Sequence, residues 1–260
     1  MTANDLDAAQ DFLTSILWTG HTVPPRSDLK HPYVTLTFAQ SLDGKIAGKG
    51  GKQLILSGKE SMLMTHWMRS MHDAILIGIG TALNDDPQLN IRHIPTSANR
   101  SPPRPIILDS KLRLQPKCKL LNNYQQGAGL QPWIICSPLE PDKDKRREDL
   151  ESAGAKVIEV RSHNNLVSID DLLKTLFDLG INTLMVEGGA SIIASFLAQA
   201  SQVDGSGTNH AVDMLIVTVA PTIVGEEGVG YEHGGGNLPP LQLVRTTLFG
   251  RDTVIACKLS

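Results

Sequence analysis

The feature that most constrains the fold of this chain is a short apolar run followed by an acidic residue and two glycines. Leu184-Met185-Val186 is typical of a buried strand, and Glu187 and Gly188-Gly189 then lead directly into a helix that starts with small residues. Glycine lets a ligand approach the backbone, and the free amides of a helix start favour a phosphate. The segment is therefore either a tight connection with an exposed glutamate or a carboxylate beside an anion site at a sheet edge.

Strand and helix patterns alternate along the rest of the chain. This alternation predicts an α/β fold with a mixed, mostly parallel sheet flanked by helices. We expect an N-terminal helix and linker over 1–30 and a single domain over 31–260. Ser57-Gly58-Lys59-Glu60 matches a capping box that would open a helix. The predicted strands are 33–39, 74–79, 105–108, 132–136, 156–160, 183–186, 212–219 and an antiparallel hairpin of 241–249 and 253–259; the predicted helices are 4–18, 57–70, 142–153, 169–179 and 189–199.

Composition excludes several classes of function. The formal charge of −3 and the aromatic content of 4% disfavour a nucleic-acid partner, and no apolar run approaches the roughly 20 residues that span a bilayer. Three widely spaced cysteines form no Cys-x-x-Cys pair and favour a reducing, cytoplasmic compartment. His66 and His72 are six residues apart, which places them on different faces of a helix, so we expect no metal site.

Polar residues repeatedly follow the predicted strands. A turn presents Lys45 after the first strand, Arg69 ends the helix before the second, and the segment 81–92 and Ser110 follow later strands. Any one of these could be a solvated loop. Together they favour a ligand crevice, because the carboxyl ends of parallel strands meet at one edge of a sheet.

Four motifs in collinear order carry a family resemblance. They are Ser41-Leu42-Asp43-Gly44-Lys45, Thr81…Asp85-Asp86-Pro87…Arg92, Leu108-Asp109-Ser110 and Val186-Glu187-Gly188-Gly189-Ala190. Over residues 31–259 the chain resembles the reductases of riboflavin biosynthesis, and we expect the free-standing fungal or archaeal type. The resemblance implies a dihydrofolate-reductase-like fold, NADPH as the cofactor and a homodimer.

The implied reaction is reduction of the ribosyl group of 2,5-diamino-6-ribosylamino-4(3H)-pyrimidinone 5′-phosphate to a ribitylamine. Two alternatives stay open: the same chemistry on the deaminated pyrimidinedione, and an NADPH-binding regulator without catalysis. Dihydrofolate reductase itself is the nearest enzymatic rival, and the segment that carries Arg92 favours a phosphorylated sugar over a pterin.

The resemblance also implies roles for individual residues. The expected catalytic pair is Lys45, which would orient or protonate the sugar oxygen, and Glu187, which would bind hydroxyls and favour a cationic imine. Substrate would also meet Arg69, Leu89 and Arg92, with Arg92 first for the 5′-phosphate. Ser110, with the nearby basic residues Lys111 and Arg113, would select NADPH over NADH. The expected cofactor-binding residues are Ala39, Thr81, Asp85, Ser110, Gly188, Gly189, Ala190, Ser191 and Ile192. At Gln53 and Ile55 the chain departs from the bacterial pattern.

Overall fold

A nine-stranded sheet forms the centre of the protein. The computed structural model describes residues 3–18, 30–94, 101–138, 144–163, 166–200, 211–231 and 240–259. The strands are β1 (Tyr33–Ser41), β2 (Ala74–Gly78), β3 (Arg104–Leu108), β4 (Trp133–Cys136), β5 (Lys156–Glu159), β6 (Ser162–His163), β7 (Leu166–Val167), β8 (Thr183–Glu187), β9 (Met214–Ala220), β10 (Leu241–Phe249) and β11 (Asp252–Leu259). Strands β6 and β7 form a separate small hairpin.

The sheet has the order β10-β11-β9-β1-β8-β2-β3-β4-β5. Its seven strands from β9 to β5 run parallel, whereas β11 is antiparallel to both β9 and β10. This confirms the predicted mixed, mostly parallel sheet with an antiparallel hairpin at its end. Strand β8 lies between β1 and β2, with Thr37 opposite Glu187, so the acid sits at the middle of the carboxyl edge.

Helices cover both faces of the sheet. They are α1 (Ala3–Ile16), α2 (Lys59–Arg69), α3 (Ile79–Asp85), α4 (Lys119–Gln125), α5 (Asp144–Ser152), α6 (Ile169–Asp178) and α7 (Ala190–Ala200), with a 3₁₀ turn at Lys49–Gly51. Because side chains alternate along a strand, Ile75 and Ile77 of β2 enter the core under α1 to α5, and Ala74 and Leu76 enter the core under α6 and α7. The sequence patterns missed the short helices α3 and α4. Within the described ranges, no helix is long and apolar enough to cross a bilayer.

Helix α1 shares the core of the sheet domain. Phe12 is fully buried and meets Phe249 edge to face, with ring centroids 5.4 Å apart. Arg245 of β10 donates hydrogen bonds to Ser15 at 2.6 Å and to Asp11 at 3.1 Å. The helix is therefore packed against the domain that follows it, and the division at residue 30 stays a prediction.

The start of α2 differs from the predicted capping box. Gly58, not Ser57, is the N-cap, and it has no side-chain cap of its own. Instead, the buried carboxylate of Asp252 accepts the Gly58 N–H at 2.6 Å and the Ser61 hydroxyl. A carboxylate satisfies orphan amides and complements the positive end of a helix, so β11 supplies the cap.

Candidate functional site

A cleft of about 500 Å³ opens at the carboxyl edge of the sheet. It lies over the ends of β1, β2 and β8, beneath the starts of α3 and α7, and is closed on one side by residues 51–57. Most of the predicted ligand-binding residues line it. These are Ala39, Thr81, Asp85, Glu187, Gly188, Gly189, Ala190, Ser191 and Ile192.

Glycines allow the two helix starts to meet at this cleft. A Cβ on Gly78 would lie 2.7 Å from Cγ1 of Ile192, and one on Gly189 would lie 2.8 Å from Oγ1 of Thr81. A Cβ on Gly80, by contrast, would meet nothing within 4 Å, so the backbone there is open to the cleft. The first amides of α7 lack intrahelical acceptors. A dinucleotide cofactor fits this cradle because its pyrophosphate can accept from such amides while glycine admits it to the backbone.

Glu187 is held at the edge of the cleft by Arg69. The guanidinium donates from Nε to Oε1 and from Nη2 to Oε2, both at 2.6 Å, and its Nη1 donates to the Asn90 carbonyl at 3.2 Å. The two side chains retain only 12% and 20% of their exposure. Burial alone would lower the pKa of Arg69, but attraction and hydrogen bonding to Glu187 raise it above its usual value.

This pairing fixes the chemistry available to both groups. Both oxygens of the Glu187 carboxylate accept hydrogen bonds from the Arg69 guanidinium, which fixes the carboxylate in place. Glu187 can therefore stabilise positive charge and accept hydroxyl hydrogens in the cleft. Arg69 already uses its planar fork on Glu187, which leaves Arg92 as the arginine predicted to meet the phosphate.

The segment 86–94 carries the other two predicted substrate residues, and neither lines the cleft. Leu89 is 2% exposed and belongs to the core under α1 to α5, whereas Arg92 is exposed. The Arg92 amide donates to Nδ1 of His66 at 3.0 Å. The segment therefore anchors Leu89 inward and turns Arg92 outward.

Lys45 sits in a tight turn after β1. Its carbonyl accepts the Ser41 amide, its amide donates to the Ser41 hydroxyl, and Gly44 takes a φ of 72°. Lys45 itself does not line the cleft, although the next two residues, Ile46 and Ala47, do. The Lys45 stem packs so closely on Gly228 that a Cβ there would lie 2.9 Å from Cγ of Lys45.

Asp43 fastens this turn to the chain after β9, a role that the sequence analysis missed. Its carboxylate accepts the Ser41 hydroxyl at 2.6 Å, and the amides of Val224 and Gly225 at 3.1 and 2.8 Å. These hydrogen bonds, led by the one from Ser41, lower the pKa of Asp43 to about 2. An Asp-Gly pair signals a turn, but no local pattern reveals the distant amides.

Ser110 lies two residues beyond β3, at the same edge of the sheet but not among the residues that line the cleft. The two positions that depart from the bacterial pattern, Gln53 and Ile55, do line it. Further lining residues that the sequence analysis did not single out are Phe38, Met62, Thr65, Asn84 and Thr218. Among the described residues, no group of three or more His, Cys, Asp and Glu side chains could hold a metal ion.

Comparisons with known proteins agree on one family. A family model described as the RibD C-terminal domain matches residues 32–255. A 2,5-diamino-6-ribosylamino-4(3H)-pyrimidinone 5′-phosphate reductase of Debaryomyces hansenii is 39% identical over 218 residues, which cover 81% of this chain and 83% of the relative. The protein of the same name from Saccharomyces cerevisiae is 34% identical over 201 residues, covering 76% and 75%.

Solved structures agree with the sequence comparisons. The riboflavin biosynthesis reductase Rib7 of Saccharomyces cerevisiae superimposes with a TM-score of 0.72 at 25% identity, over 98% of this chain and 100% of that chain. The family model alone spans most of the sequence, including every motif that carried the resemblance. The chain belongs to the family of the RibD C-terminal domain.

Proposed function

We propose that this protein is an NADPH-dependent reductase of riboflavin biosynthesis that acts on 2,5-diamino-6-ribosylamino-4(3H)-pyrimidinone 5′-phosphate. The observation that carries the proposal is the Glu187 carboxylate, which two hydrogen bonds from Arg69 fix at the edge of a glycine-lined cleft. The fungal relatives described above carry the name of this reductase. Intact Lys45 and Glu187 argue against a regulator without catalysis, since a retired site has no reason to keep both.

The chemistry divides between the cofactor and the chain. When bound, NADPH supplies the hydride that reduces C1′ of the ribosyl group. The Glu187 carboxylate, fixed in position by Arg69, places negative charge where the sugar carbon and its nitrogen become cationic as the ring opens. Lys45 is the group that orients or protonates the departing ring oxygen, and its turn is held rigidly by Ser41 and Asp43.

Two recognition features complete the proposal. Arg92 grips the 5′-phosphate with its planar fork, since Arg69 is committed to Glu187. Ser110, with the neighbouring Lys111 and Arg113, selects NADPH over NADH by its 2′-phosphate. The roles of Leu89 in substrate binding and of Ala39, Thr81, Asp85 and residues 188–192 in cofactor binding belong to the same proposal. A homodimer and a cytoplasmic location stay predictions of the resemblance.

The test is NADPH consumption by the purified protein with the diaminopyrimidinone substrate, with the deaminated pyrimidinedione in parallel. Rapid oxidation with the diamino compound supports the proposal, and oxidation with only the deaminated compound keeps the chemistry but changes the substrate. Binding of NADPH without oxidation of either would favour the regulator. Lys45→Met and Glu187→Gln are the matched variants; near-normal turnover in both would refute the assigned roles.

A further inference from the structure

Helix α2 holds the backbone of the segment 86–94 at two points. Nδ1 of His66 accepts the Arg92 N–H at 3.0 Å, and Nη1 of Arg69 donates to the Asn90 carbonyl at 3.2 Å. His66 and Arg69 are three residues apart, so they project from the same face of the helix. His66 thus supplies an acceptor for one amide of the segment, and Arg69 supplies a donor for a carbonyl two residues earlier.

His66 is built to act as an acceptor. It is 3% exposed, and its ring meets the His93 ring edge to face with centroids 5.0 Å apart. Burial, and then the charges of Arg69, His93 and Arg92, lower the pKa of His66 to about 3. The imidazole is therefore neutral at physiological pH, with Nδ1 free to accept and the hydrogen on Nε2.

The segment 86–94, which His66 holds, has a strained backbone. Asp86, Leu89 and His93 take positive φ values of 39°, 46° and 67° although none of them is glycine. A residue in this conformation is strained and persists only where the surroundings over-determine it. Leu89 is anchored in the core, and the Asp86 carboxylate accepts the Lys119 amide at 2.9 Å. His66 supplies the anchor at the exposed end, next to Arg92.

We propose that His66 is a positioning residue for phosphate recognition: by holding the Arg92 amide, it keeps the Arg92 guanidinium ready for the phosphate of the substrate. The inference rests on the proposed function only in assigning the phosphate to Arg92. His66 itself does not touch the substrate.

The test compares two substitutions at this position. His66→Leu removes the acceptor, whereas His66→Asn retains one, because the Asn side-chain oxygen lies close to the place of Nδ1. We expect His66→Leu to raise KM for the phosphorylated substrate about tenfold, the equivalent of one hydrogen bond, with kcat nearly unchanged. His66→Asn should recover most of the loss, and KM for the dephosphorylated substrate should not respond to either change.

Two further measurements separate positioning from general damage. In an Arg92→Met background, His66→Leu should have no additional effect on KM, since the group that it positions is gone. His72→Leu is the matched control: it removes another buried imidazole, whose nitrogens meet Thr35 and Met68 instead. It should lower stability without changing KM for the phosphorylated substrate.

Direct binding of ribose 5-phosphate, measured by calorimetry, keeps the inference testable apart from turnover. Weaker binding in His66→Leu and restored binding in His66→Asn would support it, even if the wild-type protein reduced neither pyrimidine and the proposed function failed. Equal affinity of wild type and His66→Leu, or an effect of the same size in the Arg92→Met background, would overturn it. Should His66→Leu not fold, His66→Gln replaces it, because its side-chain oxygen lies one methylene further out, near the place of Nε2, and so moves the acceptor away from the Arg92 amide that His66→Asn still reaches.

Discussion

The Arg69–Glu187 pair gives the strongest prediction about the cleft, because its geometry sets both stability and activity. Two charge-assisted bonds of 2.6 Å join side chains that are 12% and 20% exposed. Removal of one partner leaves the other buried and unpaired, at a cost of about 3–5 kcal/mol. We therefore expect Arg69→Met and Glu187→Leu each to lower the free energy of unfolding by about that amount.

The double variant separates stability from chemistry. With both charges replaced by apolar groups of similar size, no unpaired charge remains, so most of the stability should return and the two effects should be far from additive. Activity should not return, because the Glu187 carboxylate is still missing. Urea denaturation of the four proteins measures the coupling. Single variants within 1 kcal/mol of wild type, or additive losses in the double variant, would refute the reasoning.

Three further outcomes are expected. Gly189→Ala should destabilise the protein by about 1–3 kcal/mol and weaken NADPH binding, since its Cβ would lie 2.8 Å from a threonine hydroxyl on α3. Gly80→Ala is the control, because its Cβ would meet nothing within 4 Å, and it should melt at the wild-type temperature. Equal melting temperatures of the two variants would contradict this. The pKa values of His66 and His72 fall to about 3 and 4, so the unfolded chain takes up protons first below pH 6.5. The contribution of the two neutral histidines to the free energy of unfolding is therefore complete above pH 6.5 and is lost as the pH falls, by about 2 kcal/mol per histidine at pH 5. A free energy of unfolding from urea denaturation that is the same at pH 7.5 and pH 5 would contradict this. Asp43→Asn should speed hydrogen exchange of the amides of residues 224 and 225, and unchanged protection would show that the carboxylate does not hold them.

The sequence predicted the architecture well because each strand of the main sheet has a recognisable pattern of its own. Buried strands are visible in the sequence as short apolar runs, and Gly188-Gly189 correctly predicted both the end of β8 and the start of α7. The helices α3 and α4, each seven residues long, escaped because so short a helix shows barely two turns of periodicity. Ser57 was predicted to cap α2, but the cap is a hydrogen bond from the Gly58 amide to Asp252, which is 194 residues away in sequence.

In the candidate site, too, features with a local sequence pattern were predicted and contacts between distant residues were not. Nine of the residues that line the cleft could be found from motifs that follow strand ends and from the resemblance that those motifs carry. The contacts that decide their chemistry could not, because they join distant parts of the sequence. Arg69 was expected to bind substrate together with Arg92, and its two hydrogen bonds to Glu187 were not predicted. His66 was considered only as a metal ligand, and its hydrogen bond to the Arg92 amide was not predicted because the segment 86–94 is distant from α2 in sequence.

The most direct test of the central claim follows the hydride itself. NADPH labelled with deuterium at both positions on C4 of the nicotinamide would be mixed with the diaminopyrimidinone ribosyl phosphate and the purified protein, and the product analysed by mass spectrometry and NMR. Our account predicts a ribitylamine that carries deuterium at C1′, and almost none of it with Glu187→Gln. A product without the label, or no product while NADPH binds tightly, would contradict the account.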